Sequence, residues 1–200
     1  MALIGVEKLY YAPVTKDDET VLSYDTPVYL PGVKEISVSP KTSTQKLYAE
    51  NKLWEQDSAL DEIAVSINIA DLTNAERAKI LGHVVATEGG IFATDGDMAP
   101  YVALLYKANK SNGEARYQVL YKGKFELPEE SAKTKEGTTD FQTPVMTAIF
   151  QPTKHQMTIN GKKKALWKYQ VDTDDPDCPT TIDTDFFTDV IQPTEKLTTP

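Results

Sequence analysis

"DEIAVSINIADLTNAERAKILG", residues 61–82, decides how the chain is read. Ile63, Val65, Ile67 and Ile69 alternate with Ala64, Ser66 and Asn68. That period of two builds a strand with one apolar face. Thr73 then precedes Glu76 by three residues, the spacing at which each side chain satisfies a backbone N–H of the other. Gly82 follows, suited to the left-handed residue that stops a helix. The stretch predicts a strand that runs straight into one short helix over residues 74–81.

On either side the chain reads as strands. Residues 3–12 form an extended segment that ends in the polar turn TKDDE. VYLPGVKEISVSP, residues 28–40, is a second strand carrying Val33, Ile36 and Val38, kinked at Pro31-Gly32. Residues 40–58, PKTSTQKLYAENKLWEQDS, admit two readings. KLYA and KLWE can flank a hairpin turn at Glu50-Asn51, or Leu47, Asn51 and Trp54 can share a helix face. We adopt an extended excursion that is only partly packed on the body. Its Leu47, Tyr48, Leu53 and Trp54 are too apolar for a merely solvated loop, and aromatic residues anchor interfaces.

Beyond the helix, Gly89-Gly90 and Asp95-Gly96 mark a loop over residues 86–99. PYVALLYKANKSNGEARYQVLYKGKFELP reads as a hairpin about Asn112-Gly113, apolar on both faces. Such a strand is covered on both sides or packs against a neighbouring chain. FQTPVMTAIF is a strand whose Pro144 suggests an edge or a bulge. HQMTINGKKKALWKYQV is a second hairpin, about Asn160-Gly161. Residues 1–171 thus form one β domain, and residues 172–200 an acidic arm rich in Asp, Thr and Pro that cannot bury itself alone. Phe186, Phe187, Val190 and Ile191 are the arm's one apolar cluster, and so its docking point on a neighbouring subunit.

Two hundred residues, 40% of them apolar, suffice for one domain with a sizeable core. The net charge is −9. Residues 172–200 hold eight acids against one base, a net −7, which leaves −2 on residues 1–171. Such a balance disfavours ordinary nucleic-acid binding. A single cysteine, Cys178, excludes an intrachain disulfide. The N-terminal MALIGVEKLYYAP lacks a basic region followed by an apolar run, so no signal peptide is expected. No apolar stretch approaches the roughly 20 residues of a membrane helix.

Chemistry finds little support. His83 and His155 lie in different elements and read as surface or capping residues. Cys178 sits between Asp177 and Pro179, and acidic neighbours disfavour a thiolate. DTDDPDCPTTID fails as a calcium loop, because Pro176 and Asp177 stand where ligands and the turn glycine belong, and Asp183 replaces the bidentate Glu. Lys162, Lys163 and Lys164 read as a solvated hairpin tip. No catalytic, cofactor-binding or metal-ligating residue is assigned.

In order along the chain, GVEKLYYAPV, LYAEN (47–51), INIADLTNAERAKILG (67–82), APYVALLYKA (99–108) and RYQVLYKGKFELPEESAKTK (116–135) resemble the major tail tube proteins of bacteriophages with long, non-contractile tails. The resemblance implies a mainly β protein: a β-sandwich with one flanking short helix and extended loop and terminal arms. Ala75, Ala78, Ile80 and Leu81 would lay that helix on the sandwich. It further implies sheet edges that pair between subunits, six-fold rings, and rings stacked into a tube that conducts DNA without binding it specifically. The excursion would reach a neighbouring subunit or ring. Other partners would be the tape measure, tail terminator and distal tail proteins, with assembly in the host cytoplasm and residence in the virion. Two further readings stand beside this one. The first is the tube of a phage-derived bacteriocin or injection system. The second is a monomeric carbohydrate-binding module that stacks sugars on exposed Tyr and Trp.

Overall fold

The computed structural model describes residues 2–128 and 143–194. Its thirteen strands and two helices run in the order β1 (Leu3–Asp17), β2 (Leu22–Tyr24), β3 (Val28–Tyr29), β4 (Val33–Ala49), β5 (Lys52–Ile69), α1 (Asn74–Leu81), β6 (Val84–Val85), β7 (Ile91–Phe92), β8 (Val102–Lys110), β9 (Ala115–Phe125), β10 (Val145–Phe150), β11 (Gln156–Ile159), β12 (Lys162–Ala165), β13 (Lys168–Asp172) and α2 (Ile182–Asp185). Phe141 and Gln142 of the expected FQTPVMTAIF strand lie outside the described residues, as do residues 129–135 of the RYQVLYKGKFELPEESAKTK stretch and residues 195–200 of the arm.

The large sheet is antiparallel, ordered β2-β1-β8-β9-β10-β5-β4. It folds over on itself. β3 pairs with β1 through Tyr10–Tyr29 and Tyr11–Val28, Leu30 N–H donates to the Leu9 carbonyl, and the chain then turns into β4, which pairs with β5. The enclosed side receives Leu9, Tyr11, Ile63, Val65, Ile67, Ile69, Leu104 and Phe150, all almost fully buried. The alternation in residues 61–69 is therefore the core face of β5. Each of its four β-branched side chains contributes about 1.5–3 kcal/mol by burial.

α1 plugs this core. Thr73 Oγ1 accepts from Glu76 N–H, Glu76 accepts from Thr73 N–H, and Gly82 closes the helix at φ +77°. Ala78, Ile80 and Leu81 are buried, but Ala75 is exposed. The helix meets the sheet by its C-terminal turn, so the expected face is one residue too wide.

The two-sided apolarity of the central hairpin has a direct cause. Val102, Leu104 and Tyr106 face the enclosed core, whereas Ala103 and Leu105 face out and join Tyr117, Val119 and Tyr121 of β9 in a second apolar layer. Ile182, Phe186 and Val190 cover that layer. This corrects the reading of the arm as a segment ordered only by neighbours: residues 173–194 fold onto their own sheet. Composition hides the fact, because the chain supplies the missing cover from β8 and β9, some 60 residues upstream.

Residues 40–58 form the outer half of a β4–β5 ribbon, paired from Val33–Ile69 to Ala49–Lys52, with the hairpin turn at Glu50-Asn51 and no shared helix face. Two further expectations change. β10 is neither edge nor bulge. It lies between β5 and β9, because Pro144 falls just before it and needs to give only its carbonyl, which accepts from Ile69 N–H. The last hairpin stops at Ala165, and β13 instead takes the edge of β9 beside Arg116–Leu120, leaving Gly123–Phe125 on the same edge to β10.

Candidate assembly surface

The ribbon's turn is built by Glu50 and Asn51, both at positive φ (+52° and +60°). That pair of left-handed residues matches the twist of a two-residue hairpin. From Lys41 to Tyr48 and from Lys52 to Ala59 every residue is exposed. Both faces of this half-ribbon are therefore bare. Tyr48 stands opposite Leu53, Leu47 opposite Glu55, and the register skips Trp54, which bulges between them. Leu47, Tyr48, Leu53 and Trp54 are 56%, 64%, 51% and 70% exposed. Four large apolar side chains thus crowd the end of a strand pair that nothing among the described residues covers. A Lys41–Glu62 ion pair at 2.6 Å, itself exposed, marks where the ribbon leaves the body.

The other sequence-predicted cluster is placed differently. Phe186 and Val190 are buried, and Phe187 and Ile191 half-buried. Phe187 stacks on Tyr10 at 4.4 Å, and Phe186 tilts against Tyr117 at 5.0 Å. Tyr121 Oη donates to the Ile191 carbonyl at 2.8 Å, and Gln192 Nε2 to the Leu22 carbonyl at 2.9 Å. So the structure does not bring the two predicted clusters together. The ribbon tip is uncovered among the described residues, and the arm cluster is occupied by its own sheet.

Charged groups that the sequence reading passed over fasten the arm. Arg116 donates to both carboxylate oxygens of Asp172, at 2.7 and 2.9 Å. Lys110, itself buried, reaches Asp172 at 2.9 Å and Asp174 at 2.5 Å. Lys107 lies 3.4 Å from Asp183, whose carboxylate also accepts from Tyr117 Oη. The Arg116 hydrogen bonds, with Lys110 adding to them, hold Asp172 down to about 2. The signal for Lys110 was its place in β8, a lysine in a buried phase of the strand. Its acidic partners lie too far along the chain for spacing to reveal.

Asp172 and Asp174 hold lysine and arginine, and among the described residues no group of three or more His, Cys, Asp or Glu is placed to hold a metal. Burial, then Asp175, Asp172 and Glu114, push the Cys178 thiol up, away from the thiolate a nucleophile needs. His83 follows α1 and His155 lies beside Asp17, which accepts from its backbone N–H. A shallow groove of about 260 Å3 on the outer side of β4, β5 and β10 is lined by Ser37, Ser39, Ala64, Ser66, Thr147 and Ile149, among others, with no histidine beside its hydroxyls. Among the described residues no helix is long and apolar enough to cross a membrane.

A family model described as phage tail tube protein matches residues 30–176, a span that includes the ribbon, α1 and the central hairpin. No curated protein matches the chain.

Proposed function

Because the chain belongs to the phage tail tube protein family, we propose that its copies close into six-membered rings, and that the rings stack into the tube of a long, non-contractile tail through which DNA leaves the virion. One observation carries this reading: the β4–β5 tip, with Leu47, Tyr48, Leu53 and Trp54 bare on a half-ribbon left exposed among the described residues. An isolated two-stranded hairpin is marginal in water. A partner that buries the tip supplies what the subunit lacks.

Position supports an end-to-end contact. The 18 residues of β5 span up to about 60 Å at the usual rise per residue. Just past its far end, Val84, Val85, Phe92 and Met98 are exposed. Complementary apolar groups at opposite ends of one subunit make a contact that is not self-closing, and such contacts propagate. The outer edge of β4 also has no partner strand among the described residues. Pairing it with a neighbour inside a ring removes an edge that otherwise invites uncontrolled association. The net −9 suits a conduit whose wall does not hold DNA. In this reading the protein is not a catalyst, and it meets the tape measure, tail terminator and distal tail proteins at the ends of the tube.

Negative-stain electron microscopy of the purified protein tests the proposal. Tubes with six-fold rings in end view are expected. A protein that stays monomeric at all concentrations, or whose melting temperature rises with added oligosaccharide, would contradict it.

A further inference from the structure

Residues 151–171 contain five lysines and no acid, a net +5 within a chain of net −9. The segment is built around the small β11–β12 sheet, which pairs with no other strand. Leu166 and Met157 rest on the outer apolar layer, and Thr153 N–H donates to the Leu166 carbonyl across the hairpin's base. Its turn, at Asn160-Gly161, and Lys154, Lys162, Lys163, Lys164 and Lys168 all face solvent. None of these lysines makes an ion pair among the described residues. Lys107, Lys110 and Lys122, by contrast, each hold a carboxylate.

The arm carries the opposite charge. Asp172, Asp174 and Asp183 are spent on the chain's own cations. Asp175, Asp185 and Asp189 are exposed and pair with no cation among the described residues. We propose that the β11–β12 hairpin of one copy docks on the arm of a second copy through Asp175, Asp185 and Asp189. This inference rests on the tube reading and names one of its contacts. The occupant follows from charge. Copies of net −9 repel one another as they gather, and opposed patches steer the encounter and fix its register. The same net charge works against a nucleic acid as the occupant, because the arm's field repels phosphates.

Charge exchange tests the contact. Lys162, Lys163 and Lys164 are changed together to Glu, or Asp175, Asp185 and Asp189 together to Lys, and the two sets are then combined. All six positions are exposed, and circular dichroism of each variant should match the parent. Each single-sided reversal should lower the assembled fraction about tenfold or more in sedimentation at 50 mM salt, because like charges then face each other. The combined variant should recover most of it. Carbodiimide coupling of a mixture of isotopically light and heavy parent protein should join hairpin lysine peptides of one copy to arm peptides of another. Single-sided variants that assemble like the parent overturn this contact while leaving the tube reading in place. So does a combined variant no better than either half, or a lysine reversal that assembles normally but loses retention on a DNA column. A parent protein that never assembles overturns both.

Discussion

Gly82 ends α1 at φ +77°, and a Cβ built there would lie 2.3 Å from the Met98 carbonyl oxygen. Gly113, at φ +87° in the β8–β9 turn, has nothing within 4 Å. The two positions separate backbone strain from collision. Gly113→Ala should cost about 1–2 kcal/mol, the strain alone. Gly82→Ala should cost clearly more, because backbone must move, and urea unfolding of both variants would show it. Equal costs would mean that the loop after α1 is not packed against the helix end. On the same helix, Leu81→Ala should cost about 2–5 kcal/mol, while Ala75→Ser should stay within about 0.5 kcal/mol. The capping box and the glycine stop were legible because they are local rules of spacing and φ. The buried face of α1 was legible only in part, since which residues of its first turn meet the sheet depends on the angle at which β5 delivers the helix.

At the scale of elements, the arm is the clearest case of a structure that composition conceals. Seven aspartates read as a solvated tail, yet Arg116, Lys110 and Lys107 turn three of them into fastenings. The doubly apolar β8 did announce that a cover was needed. What the sequence could not convey was that the cover comes from the same chain. Phe186→Ala should therefore destabilise the isolated subunit by about 3–5 kcal/mol. A melting temperature unchanged from the parent would show that the arm contributes nothing to the monomer. The ion pairs give the arm a defined response to acid. Asp172 is held down to about 2 by Arg116 and Lys110, below the usual carboxylate range of about 4. Its stabilising contribution is thus complete above pH 4 and lost as pH falls toward 2. Hydrogen exchange over residues 173–194 should quicken across that window in the parent. Asp172→Asn should exchange faster already at pH 5 and change less below it. Asp17, which Lys122 and the backbone N–H groups of Lys154 and His155 hold low against the effect of burial, titrates in the same direction, so the variant is needed to assign the effect.

For the whole molecule, the body closes on itself and the β4–β5 ribbon does not. The core strands follow from alternation and turn chemistry, and the tip's four apolar residues were already conspicuous in the sequence. Their pairing was legible only as one of two readings, because residues 40–58 carry polar side chains on both faces and so lack the one-sided pattern that marks a packed strand. That absence fits a ribbon with no further partner among the described residues. Truncating an aromatic at the centre of an interface costs 2 kcal/mol or more, repeated at every subunit of a tube, whereas truncating a solvated one costs the monomer almost nothing. The most direct test is to compare Tyr48→Ala and Trp54→Ala with the parent in two readouts, the melting temperature of the dissociated subunit and the number of tubes in electron micrographs. The account predicts melting temperatures matching the parent and few or no tubes. Tubes formed as abundantly as by the parent, or subunits that unfold at a lower temperature, would contradict it.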